Sequence, residues 1–216
     1  MRGKNPIRKP ILDDGSKLDV KNIFATLQGE GLYVGTPAVF VRLGGCNLAC
    51  EFCDTDFESF VSIPLADIMD KVKKLAGDAI KLIVITGGEP LRQNIVPFCE
   101  ELLVGGYSVQ IETNGTLYRE LPQEADIVCS PKSSIPLRED LLQKLSALKF
   151  LISANNNNYN DVPEVGQSKY NIPVFVQPMD EYDEAKNIAN RNLAMELAMR
   201  HGYRLSLQIH KILNIE

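Results

Sequence analysis

Short apolar runs alternate with longer amphipathic stretches along most of this chain. The runs with the length and continuity of buried parallel strands are residues 38–43, 81–85, 109–112, 126–129, 148–152 and 174–177. The stretches with apolar side chains at helical spacing are residues 63–76, 93–104, 138–145 and 184–200. Two further short strands are predicted at residues 21–26 and 205–209. The repeated order of strand, polar or glycine-rich loop, and helix predicts a parallel sheet covered by helices.

The length of the chain limits the number of β/α units that the fold can contain. A full eight-unit β/α barrel typically needs about 250 residues, and this chain has 216. We therefore predict an α/β fold of the partial (abbreviated) TIM-barrel type with about six parallel strands. Residues 1–20 are polar and punctuated by Pro and Gly, and we expect them to be an N-terminal extension to a single domain at residues 21–216.

Composition and charge exclude several classes of function. The chain has 23 basic and 28 acidic residues, a net charge of −5, and no block of basic residues that would indicate a nucleic-acid groove. The basic residues Arg2, Lys4, Arg8 and Lys9 are expected to be solvated. No apolar run approaches the ~20 residues of a membrane span, and no hydrophobic core follows the N-terminal basic residues as in a secretory signal. Unpaired cysteines fit the reducing cytoplasm.

Three cysteines stand close together directly after the predicted strand at residues 38–43. Cys46, Cys50 and Cys53 have the spacing Cys-x3-Cys-x2-Cys, and thiolates at such spacing indicate a metal. Three thiolates can hold three irons of a [4Fe–4S] cluster and leave the fourth iron open, whereas a closed zinc site needs four ligands. The remaining cysteines and histidines, which are Cys99, Cys129, His201 and His210, are distant in sequence. The spacing favours the iron–sulfur site, and zinc remains the alternative.

Other short motifs follow the predicted strands or precede the strand that leads to the cysteines. They are Leu-Gln-Gly-Glu-Gly at residues 27–31, Thr-Gly-Gly-Glu-Pro at 86–90, Glu-Thr-Asn-Gly at 112–115, Ser-Pro-Lys at 130–132 and Gln-Pro-Met-Asp at 177–180. Ligands of parallel β/α folds gather at the carboxyl ends of the strands. Each of the glycine-containing motifs is also typical of a simple turn.

The motifs together carry a resemblance to a known family. The cysteine triplet, Phe52 before its last cysteine, and the motif at residues 86–90 resemble the radical S-adenosylmethionine (SAM) superfamily. The motifs at residues 27–31, 42–48, 53–55, 112–115, 130–132, 177–180 and 205–211 resemble the 7-carboxy-7-deazaguanine synthase family. The resemblance covers most of the chain after the first twenty residues.

This resemblance implies a reaction and its cofactors. Members of the family are lyases that use a [4Fe–4S] cluster, SAM and Mg2+ to convert 6-carboxy-5,6,7,8-tetrahydropterin into 7-carboxy-7-deazaguanine. A hydrogen atom is taken from C6, the ring contracts, ammonia leaves and SAM is regenerated. The product belongs to queuosine and 7-deazapurine biosynthesis. The resemblance also implies a small-molecule substrate, an electron donor such as flavodoxin or ferredoxin, and a homodimer.

The resemblance further assigns individual residues. Cys46, Cys50 and Cys53 hold the cluster, and Thr55 is a ligand of Mg2+. The substrate-binding residues are Leu27, Gln28, Gly29, Glu30, Arg42, Thr86 and Glu216. The SAM-binding residues are Phe52, Cys53, Asp54, Gly88, Glu89, Glu112, Asn114, Ser130, Pro131, Lys132, Gln177, Pro178, Met179 and Asp180.

Two of these assignments have simpler alternatives in the residues themselves. Thr55 alone is more typical of a helix N-cap. Arg42, which could clamp a substrate carboxylate through two hydrogen bonds, could equally pair with a carboxylate of the core.

Two other functions compete with the synthase. An activase that generates a glycyl radical on a partner protein would share the cysteine triplet and the size, but not the motifs at residues 27–31 and 54–55. A non-catalytic zinc module would hold one zinc ion and no inorganic sulfide.

Overall fold

The chain folds as two compact units with α/β architecture. The computed structural model describes residues 5–53, 55–132 and 136–215. The first unit comprises residues up to 28 together with residues 36–113 and 117–126, and the second comprises residues 29–35, 114–116 and the chain from residue 127 onward.

The described residues of the first unit form five strands and two α-helices. Its elements are β1 (Lys17–Leu27), β2 (Pro37–Leu43), β3 (Val61–Pro64), α1 (Leu65–Ala76), β4 (Leu82–Gly87), α2 (Val96–Val104) and β5 (Ser108–Thr113). The strand order is β3-β1-β2-β4-β5. β2, β4 and β5 run parallel, whereas β1 pairs antiparallel with both β2 and β3.

The pattern of apolar residues in the first unit explains which side chains are buried. Val39, Val41, Ile83 and Ile85 are fully buried, as expected for strands covered by helices. The face of α1 that carries Ile68 and Val72 is also buried, and Gly77 ends the helix with a positive φ of 52°. The carboxyl ends of β2 and β4 lie side by side, since Arg42 pairs with Thr86 and Leu43 with Gly87.

The second unit continues the parallel pattern. Its elements are β6 (Asp126–Cys129), α3 (Glu139–Leu142), β7 (Leu145–Ile152), α4 (Gln167–Tyr170), β8 (Val174–Pro178), α5 (Glu184–His201), β9 (Arg204–Leu205) and α6 (Ile209–Leu213). β6, β7, β8 and β9 pair in this order, all parallel. A core of buried residues on β7, β8 and α5, including Phe150, Val176 and Leu197, holds the unit together.

The predicted α/β class with largely parallel strands is confirmed. β2, β4, β5, β6, β7 and β8 are the six parallel strands of four or more residues in the described part of the chain. The first strand is longer than predicted and begins at Lys17, inside the segment assigned to the extension.

Two predicted elements were wrong in large part. The strand predicted at residues 205–209 is only Arg204–Leu205, and Ile209 already begins α6. The helix predicted at residues 138–145 spans only Glu139–Leu142, because Leu145 belongs to β7. In the described part of the chain, no helix is long and apolar enough to cross a membrane.

Candidate functional site

The three cysteines lie on the loop that follows β2, in the first unit. Cys46 is buried, Cys50 and Cys53 are half-buried, and none of the three forms a disulfide in the described part of the chain. The backbone N–H of Leu48 donates to Cys46 Sγ at 3.4 Å, and that of Cys53 donates to the carbonyl of Cys50 at 3.1 Å. The sequence-predicted SAM residue Phe52 lies half-buried between the second and third cysteines. Asp54, the next predicted residue, lies outside the described residues.

The surroundings of Cys46 make an unliganded thiolate unfavourable. Burial raises the pKa of the Cys46 thiol to about 11, and the charges of Glu89, Cys50 and Cys53 act in the same direction. A cationic metal centre reverses this effect, because it stabilises the thiolate form of its ligands. The donor set therefore fits a metal group with soft ligands.

The arrangement of the thiols bears on which group fits. Among the residues that the structure describes, no three His, Cys, Asp or Glu side chains converge in the way a single ion requires. A cubane cluster binds each of its protein thiolates through a different iron. Three cysteines on one loop fit the three protein-bound corners of such a cluster.

The glycines at residues 87 and 88 bring the end of β4 into backbone contact with the cysteine loop. The N–H groups of Gly88 and Glu89 donate to the carbonyls of Leu43 and Gly45 at 3.2 and 3.1 Å. A Cβ atom on Gly88 would lie 2.0 Å from the Gly45 oxygen, and one on Gly87 would lie 2.1 Å from the Leu43 oxygen. The motif at residues 86–90 thus fixes the start of the loop that carries the cysteines.

Glu89 has a structural role in the same motif. Its side chain is fully buried and accepts hydrogen bonds from the Leu91 N–H at 2.9 Å and from the Thr113 hydroxyl at 2.7 Å. It thereby caps the short 3-10 helix Pro90–Arg92 and ties the end of β4 to the end of β5.

Arg92 and Gln93, which the motif analysis missed, also support the cysteine loop. The Arg92 guanidinium is 4% exposed, and its Nη2 lies 3.0 Å from Asp19 Oδ2 and 2.9 Å from the Gly44 carbonyl oxygen. The Gln93 amide exchanges two hydrogen bonds with the backbone of Asp19. The partners lie 48 to 74 residues away in sequence, so no local pattern could reveal them.

Arg42 and Thr55 lie together next to the cysteine loop. Arg42 Nη1 is 3.4 Å from the Thr55 hydroxyl oxygen, and the guanidinium lies 5.6 Å from the centre of the Phe24 ring. No helix begins at Thr55 in the described residues around it, so the alternative of a helix N-cap is wrong. Thr86 neighbours Arg42 on the adjoining strand.

A group of amide and carboxylate side chains lies at the ends of β1 and β5. Leu27 is the last residue of β1. The amides of Gln28 and Gln110 each donate to Glu112 Oε1 at 3.0 Å. Gln28 and Gln110 are buried, so Glu112 is held in place by two neighbours of the first unit.

In the second unit, Glu30 forms an ion pair. Its carboxylate oxygens lie 2.5 Å from Lys149 Nζ and 2.8 Å from Gln208 Nε2. Burial alone would raise the pKa of Glu30, but attraction and hydrogen bonding from Lys149, the Gln208 amide and the charge of His210 outweigh it and lower the pKa to about 2. Glu30 is therefore a carboxylate at neutral pH.

Gly29 makes room for the C-terminal helix α6. A Cβ atom on Gly29 would lie 2.1 Å from His210 Nδ1, and the N–H of Ile209 donates to the Gly29 carbonyl at 3.0 Å. The N–H of Gly31 donates to the Ser206 hydroxyl at 2.9 Å. Ser206 and Ile209 make these contacts, whereas the sequence predicted that both belong to a strand at residues 205–209. The predicted substrate residue Glu216 lies outside the described residues.

The other predicted SAM residues of the second unit make side-chain hydrogen bonds within that unit. Asn114 Oδ1 accepts from the Thr116 N–H at 2.9 Å, and Lys132 Nζ lies 2.7 Å from Ser130 Oγ, with Pro131 between them. Gln177 Oε1 accepts from Ser206 Oγ at 3.1 Å.

The segment Pro178, Met179 and Asp180 begins with the last residue of β8. The N–H of Met179 donates to the Ile152 carbonyl at 2.8 Å. Asp180 accepts from Lys211 Nζ at 3.0 Å and from Asn187 Nδ2 at 2.9 Å. The loop after β8 is thus tied to β7, α5 and α6 within the second unit.

Comparison with known proteins connects these sites with a family. Residues 40–130 match the family model of the radical SAM superfamily. A 7-carboxy-7-deazaguanine synthase of Rickettsia prowazekii is 55% identical over 225 residues, which cover 100% of this chain and 96% of that protein. A protein of the same name from Rhodospirillum rubrum is 42% identical over 238 residues, which cover both chains completely.

A solved structure supports the fold. The crystal structure of QueE from Escherichia coli has a TM-score of 0.70 to this chain at 23% sequence identity, and the match covers 89% of this chain and 94% of that one. The sequence relatives favour the synthase family, and with it the radical SAM interpretation of the cysteine loop, over both the zinc module and the activase.

Proposed function

Because this chain belongs to the 7-carboxy-7-deazaguanine synthase family of radical SAM enzymes, we propose that it converts 6-carboxy-5,6,7,8-tetrahydropterin into 7-carboxy-7-deazaguanine with loss of ammonia. The observation that carries the proposal is full-length identity of 55% and 42% to proteins of that name. The three-thiol loop with Arg42 and Thr55 beside it agrees with the proposal.

The family implies a [4Fe–4S] cluster and SAM as cofactors, and the residues of the first unit fit them. Cys46, Cys50 and Cys53 would hold three irons, and the open iron would take SAM. The cofactor pair supplies, when bound, a radical that can abstract a hydrogen atom from the substrate. The protein contributes a loop fixed by the Gly87–Gly88 contact and by Arg92.

The pair Arg42 and Thr55 is proposed as the site of the substrate carboxylate. A guanidinium can bind a carboxylate through two hydrogen bonds, and a hydroxyl is a suitable oxygen ligand for Mg2+. The distance of 3.4 Å between the two side chains allows one carboxylate to reach both the arginine and a Mg2+ ion on Thr55.

The remaining substrate contacts are proposed on the loop that follows β1 and on β4. They involve Leu27, Gln28, Gly29, Glu30 and Thr86, with Glu216 at the C-terminus. Glu30 supports this role because it is ionised at neutral pH, and a carboxylate can accept hydrogen bonds from the amino-pyrimidine edge of a pterin.

The SAM contacts are proposed at the residues that the family resemblance assigns to this cofactor. They are Phe52, Cys53, Asp54, Gly88, Glu89, Glu112, Asn114, Ser130, Pro131, Lys132, Gln177, Pro178, Met179 and Asp180.

We also propose partners and a compartment. The enzyme needs a one-electron reductant, and flavodoxin or ferredoxin is proposed for this role. The chain is proposed to form a homodimer. It is also proposed to work in the reducing cytoplasm, because its five cysteines form no disulfide within the described residues.

Anaerobic turnover tests the proposed reaction. Reconstituted protein is incubated with the carboxy-tetrahydropterin, SAM, Mg2+ and a reductant, and the product is identified by mass. We expect 7-carboxy-7-deazaguanine and ammonia in equal amounts, and neither product with Cys50→Ala. Cleavage of SAM without any change in the pterin would contradict the proposal and favour an activase.

A further inference from the structure

The N-terminal segment of residues 5–12, called the N-terminal strap below, runs along the cysteine loop. Ile7 forms a parallel β-bridge with Cys46, and the N–H of Arg8 donates to the Cys46 carbonyl at 2.7 Å. Polar composition predicted a solvated extension here, yet its backbone is paired with the first cluster ligand. The backbone of the strap therefore contributes to the structure around the cysteine loop.

Two arginines of the first unit donate hydrogen bonds to backbone carbonyls of the N-terminal strap. Arg119 Nη2 donates to the Ile11 carbonyl at 2.8 Å, and Arg92 Nη1 donates to the Lys9 carbonyl at 3.3 Å. The N–H of Ile11 in turn donates to the Arg92 carbonyl at 2.7 Å. Since Arg92 also binds the Gly44 carbonyl, one side chain holds both the strap and the start of the cysteine loop.

Arg8, a residue of the strap, binds two residues that follow the cysteine loop in sequence. Its guanidinium binds both carboxylate oxygens of Glu58, with Nε at 3.1 Å from Oε1 and 3.0 Å from Oε2, and lies 5.1 Å from the centre of the Phe60 ring. Phe60 packs on Gly44, where a Cβ atom would lie 2.2 Å from the ring. The strap is thus also held by Glu58 and Phe60, which follow the cysteines in sequence.

Anchored in this way, the strap places one amide against the third cysteine. Asn5 Nδ2 lies 3.0 Å from the Thr55 carbonyl oxygen and 3.8 Å from Cys53 Sγ. The amide nitrogen carries two hydrogens, so it can donate to both acceptors at once. The longer distance to sulfur is in keeping with the larger radius of that atom.

We propose that Asn5 is a positioning residue of the iron–sulfur site, whose carboxamide donates a hydrogen bond to the Cys53 sulfur and raises the reduction potential of the cluster. Reduction adds one electron, supplied by the external donor, to the cluster and its thiolates. A hydrogen-bond donor at a ligand sulfur stabilises the more negative, reduced state. The inference depends on the cluster and not on the identity of the substrate.

Asn5→Leu tests the proposal, because leucine has a similar size and no donor. The holoprotein is reconstituted anaerobically, its iron and sulfide are determined, and the midpoint potential is measured by a redox titration followed by electron paramagnetic resonance. The control is Leu12→Asn on the same strap, where the side chain is 93% exposed. Asn5→Gln retains an amide donor and serves as the conservative variant.

We expect Asn5→Leu to have a more negative potential, whereas Leu12→Asn and Asn5→Gln stay close to the wild type. At the wild-type midpoint, the ratio of reduced to oxidised cluster would fall below one in Asn5→Leu, and a tenfold fall corresponds to 59 mV for one electron. A loaded Asn5→Leu cluster with the wild-type potential would overturn the proposal.

The outcome is also decisive when Asn5→Leu does not take up iron. Normal loading of Asn5→Gln would then support a need for the amide donor. Failure of both variants to load, with unfolding curves of the apoproteins like that of the wild type, would overturn the proposal because shape rather than hydrogen bonding would be required. No measurement here uses the pterin, so a failure of the proposed reaction would be seen separately.

Discussion

The hydroxyl oxygen of Thr55 lies 3.4 Å from Arg42 Nη1. If Thr55 is a Mg2+ ligand, Thr55→Ala should raise the Mg2+ concentration needed for half-maximal activity by about tenfold or more. Thr55→Ser keeps the hydroxyl and should respond to Mg2+ like the wild type. Both variants should contain the wild-type amount of iron and sulfide, and an unchanged Mg2+ response of Thr55→Ala would remove Thr55 from the metal site.

The pair Glu30 and Lys149 makes a second prediction at the level of single residues. The side chains are 16% and 5% exposed, so loss of one partner leaves a poorly solvated charge. Lys149→Met should lower the free energy of unfolding by about 3 kcal/mol or more. The double variant Glu30→Gln/Lys149→Met should recover much of this loss, which denaturant unfolding of the three variants can measure. Equal stability of single and double variants would contradict the coupling.

The same pair predicts a pH dependence. The pKa of Glu30 is lowered to about 2 in the folded protein, against about 4.3 in an unfolded chain. The carboxylate therefore contributes stability that is fully present above about pH 4.3 and is lost as the pH falls toward 2. The difference in unfolding free energy between the wild type and the double variant should shrink over this range. A difference that stays constant from pH 5 to pH 2.5 would show that Glu30 does not titrate as stated.

At the scale of residues, the sequence predicted the site residues that short local spacing reveals. It missed the residues whose partners are distant along the chain. Cys46, Cys50 and Cys53 were found because one short loop carries them all. Arg92 and Lys149 were missed since Asp19 and Glu30, their partners, are 73 and 119 residues away. An isolated arginine or lysine gives no signal of such pairing.

At the scale of elements, the junction of β4 with the cysteine loop leads to a fourth prediction. Gly88→Ala would place a Cβ atom 2.0 Å from the Gly45 carbonyl oxygen, and backbone on both sides leaves little room to relax. We expect the variant to fold but to lose most of its iron after reconstitution, because the start of the cysteine loop must shift. Gly105→Ala, where the nearest atom is 3.3 Å away, is the matched control. Full iron loading of Gly88→Ala would show that the close contact is not needed for the cluster.

The elements themselves were predictable where burial is continuous. The runs in β2, β4 and β8 were recognised because both of their faces are covered. The exposed edge strand β3 has no such run and was missed. Residues 205–209 alternate like a strand, but Ser206 and Gln208 bind Gly31 and Glu30, and these tertiary contacts end the strand after two residues.

At the scale of the whole molecule, binding of the cluster should stabilise the folded state of the first unit. Its ligands come from the loop after β2, and that loop is bound to the end of β4 and to the N-terminal strap. A group that binds only the folded state stabilises it by mass action. A gain of about 2 kcal/mol would raise the midpoint of thermal unfolding by roughly 4–8 °C in a chain of this size.

Anaerobic thermal unfolding of apoprotein and reconstituted protein checks this fifth prediction. We expect the reconstituted wild type to unfold at the higher temperature. Cys50→Ala should lose the cluster, all SAM cleavage and the thermal gain, since two thiolates leave the cluster short of one iron ligand. Cys99→Ala is the matched control: Cys99 is buried in α2, and burial raises the pKa of its thiol to about 12, so it should keep both the cluster and the gain. A thermal gain in Cys50→Ala equal to that of the wild type would place the binding of iron outside the cysteine loop.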